Sequence, residues 1–155
     1  MVAVMNSDIT FRPGTTEDIP AMSRQIAASY KATYKGQMRD EYLHSLAENH
    51  WEPILQAGFA GTSHCLVAQQ GGQIIGTAVF DKTAQKAYAG DAELHAIYIS
   101  PDWLGLGVGG GLLACTEAAM RKASFSHCLL EVLASNTRAI GFYLAHGYAK
   151  AHRFT

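Results

Sequence analysis

The sequence predicts one α/β (α+β) domain in which helices pack on a mixed β-sheet. Three observations point there. The candidate elements run in the order strand, helices, three strands, then a strand-helix unit. The turn Gln70-Gly71-Gly72-Gln73 joins two apolar runs, which reads as an antiparallel hairpin because glycine supplies positive φ at little cost. A strand over 93–99 then passes through a glycine-rich turn into a helix and on to another strand, and that connection implies a parallel pair.

The elements follow in order. Residues 9–12 form a short strand. Thr15-Thr16-Glu17-Asp18 start a helix, with an oxygen side chain as cap and acids at the positive end of the dipole. Ile19, Met22, Ile26 and Tyr30 continue it at helical spacing, and Gly36 breaks it. Residues 40–48 and 51–57 read as further helical pieces, the second ending at Gly58. Residues 64–69 and 74–80 are the two strands of the hairpin. The strand over 93–99 is closed by Ser100-Pro101, and 107–123 is a helix. Residues 127–133 form a strand, 137–146 a helix stopped by Gly147, and 148–154 a last short strand.

Composition narrows the classes. A chain of 155 residues fits a single domain over 1–155, with a core that needs no staples. Apolar residues make up 48% and charged residues 16%, the balance of a globular protein. Lysine and arginine number 12 against 13 acids, so neither a nucleic-acid nor an anionic-membrane partner is expected. Cys65, Cys115 and Cys128 have no C-x-x-C spacing and read as buried small hydrophobes, and the histidines show no ligand spacing, so no metal is expected. Residues 1–8 lack the features of a signal peptide, no run is long enough to span a membrane, and a cytoplasmic location is expected.

The most informative segment runs from Ile97-Tyr98-Ile99 through Ser100-Pro101-Asp102-Trp103 to Leu104-Gly105-Leu106-Gly107-Val108-Gly109-Gly110-Gly111. Unpaired N–H groups at a helix start, free of Cβ atoms, suit a pyrophosphate. Three readings stand side by side: a close-packed turn, a dinucleotide loop (Gly105-x-Gly107-x-x-Gly110), and a coenzyme A loop. The dinucleotide pattern belongs in a first β-α unit, whereas this one lies two-thirds along the chain.

The segment resembles the pyrophosphate loop of the GNAT acetyltransferases, Arg/Gln-x-x-Gly-x-Gly/Ala. Gly107 and Gly109 match its glycines, and Leu104 stands where Arg or Gln is usual. A second run, Leu130-Glu131-Val132 through Asn136, Ala139, Tyr143, Gly147 and Tyr148, is similar to the family's L-E-V, N-x-x-A and Y-x-x-x-G-[FY]. The segment from Tyr30 to Gly36, followed by Asp40-Glu41-Tyr42-Leu43, resembles the acceptor-side helices of small-molecule members.

The resemblance implies a mostly antiparallel central sheet with helices on both faces and acetyl-CoA as cosubstrate. It implies transfer of the acetyl group to a small primary amine by direct attack in a ternary complex. The backbone of Ile97, Tyr98 and Ile99 would hold the pantetheine. Leu104, Gly105, Leu106, Gly107, Val108, Gly109 and Gly110 would hold the phosphates, with Asn136 and Tyr143 also at the coenzyme. Acetyl transfer needs an acceptor for the amine's proton and a donor for the thiolate. Glu93 and Glu131 are the candidate bases, each in an apolar strand where burial would raise its proton affinity. His95, two residues from Glu93 on the same face, could relay a proton. Tyr143 is the candidate acid.

Acetylation of a protein N-terminus or lysine is the alternative within the family, and a non-catalytic acyl-CoA-binding regulatory domain is the alternative outside it. Family members usually have a further strand beyond the last helix, so a homodimer covering the exposed edge is also expected.

Overall fold

The computed structural model describes residues 8–151. Five strands form one sheet in sequence order: β1 (Ile9–Pro13), β2 (His64–Gln70), β3 (Gln73–Lys82), β4 (Ala92–Ile99) and β5 (Cys128–Leu130). The first four pair antiparallel, and β4 pairs parallel with β5. The expected mixed, mostly antiparallel sheet is therefore the one that forms. Gly71 makes the β2–β3 turn with φ of 60°, the handedness a tight hairpin needs.

Helices cover both faces. α1 (Ile19–Tyr34), α2 (Asp40–Ser45) and α3 (Glu52–Ala60) precede the hairpin, and α4 (Val108–Lys122) and α5 (Thr137–Ala145) flank β5. On one face Ile19, Met22 and Ile26 of α1 and Leu55 of α3 pack on Cys65, Val67 and Ile74. On the other, Leu112, Leu113 and Met120 of α4 pack on Leu66, Ala78, Phe80 and Leu94. Met22, Val67, Phe80 and Leu112 are fully buried, each worth roughly 1.5–3 kcal/mol relative to exposure. Cys65 is buried and all three cysteines are free.

Arg12 ties the start of the chain together. Its guanidinium donates to both Asp18 carboxylate oxygens at 2.7 and 2.9 Å, and its Nε donates to Gln69 Oε1 at 2.8 Å. Asp18 Oδ2 also accepts from the Thr15 backbone N–H at 2.8 Å, so a single turn over Thr16–Asp18 precedes α1.

Four expected elements differ. α2 ends at Ser45, not at 48, because the chain turns out to dock on α1: Ser23 Oγ donates to the Glu48 carbonyl and accepts from the Trp51 N–H. α3 runs through Gly58 and stops at Gly61; a Cβ on Gly58 would stand 3.1 Å from Ser63, where the chain folds back. β5 has three residues rather than seven, for a reason given below. Residues 148–151 form no strand, and 152–154 of that expectation lie outside the described residues, as do residues 1–7.

Candidate active site

The site begins where β4 and β5 part. They pair from Ala92↔Cys128 through Glu93↔Leu129 to Leu94↔Leu130, and there the ladder ends. One residue later β4 bulges: Phe80 opposes Leu94 and Val79 opposes Ala96, so His95 has no partner on β3. The bulge re-aims the second half of β4. Leu94 and Ile97 both pack on the α4 side although they are three apart, while Tyr98 packs on the α1 side.

Beyond the bulge β4 faces a gap. The Ser100 N–H donates to the Ile75 carbonyl on β3 at 2.8 Å. By strand alternation Ile97 and Ile99 then direct their peptide groups away from β3, toward the side that β5 leaves open. Tyr98 turns its backbone toward β3 and its ring toward Tyr30, centroids 6.3 Å apart. Side chains of α1 anchor this half-strand: Gln25 Nε2 donates to the Tyr98 carbonyl and Ser29 Oγ to the Ile99 carbonyl, both at 3.0 Å.

The glycine-rich loop follows a single turn over Pro101–Trp103. Gly105 and Gly107 have φ of 75° and 83°, a conformation open mainly to glycine, and a Cβ on either would meet nothing within 4 Å. Gly107 is the N-cap of α4, and no side chain caps that helix. The Gly111 N–H reaches the Gly107 carbonyl, which leaves the N–H groups of Val108, Gly109 and Gly110 without acceptors inside the helix. An anion suits this end on hydrogen-bonding and dipole grounds alike.

The later glycines have another cause. A Cβ on Gly109 would stand 3.3 Å from the Phe142 ring, one on Gly110 3.1 Å from His146, and one on Gly111 would collide with Phe11. So the glycines have two separate causes: two set the backbone, and three admit α5 and β1. Leu104 and Leu106 are exposed, and Leu104 brings no polar side chain to the loop.

The two candidate carboxylates meet through a residue of the β3–β4 connection. Glu93 is largely buried, with its side chain 15% exposed. Its Oε1 accepts from Thr83 Oγ1 at 2.7 Å, and its Oε2 lies 3.3 Å from His95 Nδ1. Glu131 is exposed and lies just past the end of β5. Gln85 Nε2 donates to Glu131 Oε1 at 2.8 Å and to Glu93 Oε1 at 3.4 Å. Glu93 thus sits among polar groups, not in the purely apolar strand surroundings expected of it.

Tyr143 lies on α5 with its ring edge-on to Phe142 and Tyr148, centroids at 5.3 and 5.6 Å. Its hydroxyl makes no hydrogen bond among the described residues. Burial pushes its proton affinity well above that of a free phenol, and the Cys128, Tyr98 and Tyr34 groups nearby add to the shift. Burial likewise pushes Tyr98 up to about 12. Asn136 caps α5: its side-chain oxygen accepts from the Ala139 N–H at 3.2 Å. Ser135, beside it, donates to Gln37 Oε1 at 3.1 Å, which joins the α1–α2 connection to the β5–α5 connection.

A cavity of about 280 Å³ opens on the α1–α3 face, lined by Ile26, Trp51, Ile54, Ala96 and Tyr98 among others, and His95 is part of its wall. His95 therefore touches the cavity and Glu93 at once. Among the described residues no group of three or more His, Cys, Asp or Glu is placed to hold a metal ion, and no helix is long and apolar enough to cross a membrane.

The sequence model of the acetyltransferase (GNAT) family matches residues 25–148. The chain belongs to that family. It is a GNAT acetyltransferase. It is 26% identical over 141 residues to a spermidine N(1)-acetyltransferase of Thermoplasma acidophilum, which covers 90% of this chain and 88% of the relative. Among solved structures it is similar to a PaiA N-acetyltransferase of the same organism in complex with coenzyme A, with a TM-score of 0.76 at 24% identity over 91% of this chain and 89% of the other. It is also similar to an aminoglycoside N-acetyltransferase in complex with coenzyme A, with a TM-score of 0.77 at 12% identity over 99% and 96%. These two likenesses show the fold. In this GNAT acetyltransferase, sequence reasoning missed four residues that hydrogen-bond to β4 or to the candidate carboxylates: Gln25, Ser29, Thr83 and Gln85. They come from α1 and from the β3–β4 connection, and nothing local in the sequence marks them.

Proposed function

We propose that this GNAT acetyltransferase moves the acetyl group of acetyl-CoA to a primary amine of a small molecule, by direct attack in a ternary complex. The observation that carries the reading is His95, which lines a cavity of small-molecule size and lies 3.3 Å from Glu93. A small acceptor in that cavity has a short path for its proton to a carboxylate beside the β4–β5 gap. The relatives support the same class, since one is a spermidine acetyltransferase.

Acetyl-CoA fits the residues present. The uncapped first turn of α4, with Gly105 and Gly107 turned left-handed before it, offers N–H groups for the pyrophosphate. The peptide groups of Ile97 and Ile99 border the gap that a pantetheine arm would fill. In this reading Leu104, Leu106 and Val108 contribute backbone only, and Asn136 acts by capping α5 beside the coenzyme.

The chemistry follows from the groups in place. Glu93 takes the proton of the acceptor ammonium, directly or through His95. The freed nitrogen forms its bond to the thioester carbonyl carbon, the carbon–sulfur bond breaks, the thiolate takes a proton from Tyr143, and the second proton shed by the nitrogen restores the tyrosine hydroxyl. The raised proton affinity of Tyr143 keeps it protonated until that step. Glu131 anchors Gln85 in this scheme and does not act as a base, which weighs against acetylation of protein N-termini. β5 is an edge strand among the described residues, and a homodimer covering it belongs to the same reading.

The test is thiol release from acetyl-CoA over a panel of spermidine, sisomicin, free amino acids and short peptides. Turnover of a small amine with idle peptides is expected. Turnover of peptides alone, or of nothing, would contradict the reading. Light scattering at micromolar concentration checks the dimer, which a clean monomer would exclude.

A further inference from the structure

The β3–β4 connection contains one residue that touches both candidate carboxylates, although Glu93 stands on β4 and Glu131 just past the end of β5. Gln85 Nε2 donates to Glu131 Oε1 at 2.8 Å and, more weakly, to Glu93 Oε1 at 3.4 Å. The Gln85 backbone N–H donates to Thr83 Oγ1 at 3.0 Å, and Thr83 Oγ1 donates to the same Glu93 oxygen at 2.7 Å. The backbone and the side chain of one residue therefore converge on Glu93 Oε1 by two routes.

The consequences are directional. Glu93 Oε1 has its lone pairs engaged, while Oε2 lies 3.3 Å from Nδ1 of His95, whose side chain lines the cavity. A hydrogen-bonded oxygen is held in place, and the second oxygen is left as the proton acceptor. An amide suits this task because it has two N–H donors, one for each carboxylate, and carries no charge of its own. A lysine would also bridge the pair, yet its charge would make Glu93 a weaker base. Glu131 completes the arrangement as the anchor of the Gln85 amide at the mouth of the β4–β5 gap.

We infer that Gln85 is a positioning residue, which fixes Glu93 Oε1 and presents Oε2 to the acceptor, with Glu131 acting through it. The inference rests on the reading of Glu93 as the base. The titratable groups near Glu93 are His95 on its own strand, Asp81 opposite it on β3, Glu131 beyond it and, within electrostatic reach from β5, Cys128. Any change at Gln85 acts on Glu93 against that background.

Three variants test it, with spermidine as acceptor at saturating acetyl-CoA. Gln85→Met keeps the length and removes both donors. Its kcat should fall ~10–100-fold, the effect of a misplaced catalytic group, with the KM for acetyl-CoA and the melting temperature near wild type. Gln85→Glu puts a like charge beside the base, and Gln85→Lys puts an opposite one there. The acidic limb of the pH–rate profile should move to higher pH in the first and to lower pH in the second, by about one unit each. Opposite shifts place residue 85 beside the titrating base, and the loss of kcat in Gln85→Met at unchanged melting temperature separates positioning from a merely structural role. Full kcat in Gln85→Met, or an unmoved limb in both charged variants, would overturn the inference. Glu93→Gln is measured beside them. If it removes the limb while the Gln85 variants leave it in place, only the role of Gln85 falls. If Glu93→Gln keeps the limb and the rate, both readings fall.

Discussion

Gly109 in the first turn of α4 lies so close to Phe142 of α5 that a Cβ there would stand 3.3 Å from the ring. Gly107, two residues earlier, has open space around it and a φ of 83°. The two glycines should therefore fail differently. Gly109→Val overpacks the α4–α5 contact and should cost about 1–3 kcal/mol of stability. Gly107→Glu places a carboxylate where the loop is expected to meet phosphates. It should abolish acetyl-CoA binding by calorimetry, with a strain cost of only about 1–2 kcal/mol. Unchanged affinity in Gly107→Glu would remove the loop from the coenzyme site.

Acid should loosen the molecule through Asp18. The Arg12 guanidinium bonded to its carboxylate holds Asp18 at about 2, against an ordinary 3.8. The folded-state value is depressed, so this stabilisation is fully present above pH 4 and fades as pH falls from about 4 toward 2. In Asp18→Asn the melting temperature should be lower at pH 7, and its fall between pH 4 and pH 2 should be shallower than in the wild type. Identical slopes would show that the pair contributes nothing.

Tyr143→Phe removes one hydroxyl that bonds to no described residue. Fold and acetyl-CoA affinity should stay near wild type, because Phe142 and Tyr148 still pack against the ring. The turnover number should drop by one to several orders of magnitude, roughly the span of acid catalysis. Wild-type turnover would make Tyr143 a packing residue, with water supplying the proton.

What the sequence made legible has a physical pattern. The β2–β3 hairpin announced itself because Gly71 must adopt positive φ between two apolar runs. The α4 start was equally plain, since so many glycines at a helix terminus need a reason. That reason was only half visible: Phe142, His146 and Phe11 approach the later glycines from distant parts of the chain. β5 is shorter than its apolar run because its end depends on the bulge at His95, which is a property of the β3–β4 register and not of residues 127–133. Gly58 has the signature of a helix stop, but its lack of a side chain serves the close approach of Ser63 instead. Alternation puts Glu93 and His95 on one face, and although His95 is itself the bulged residue its ring still reaches Glu93 at 3.3 Å. Gln85 could not be found, since a glutamine in a polar connection carries no signal until the two carboxylates it touches are brought together.

The central claim is that Glu93 removes the proton of a small amine. The most direct measurement is the pH profile of kcat/KM for spermidine in the wild type, Glu93→Gln and Glu131→Gln. Glu93→Gln should fall by ~10²–10⁴-fold and lose the acidic limb, with acetyl-CoA affinity nearly unchanged. Glu131→Gln should fall less and keep that limb. A Glu93→Gln enzyme that retains the wild-type rate and limb, or one that outperforms Glu131→Gln, would contradict the account.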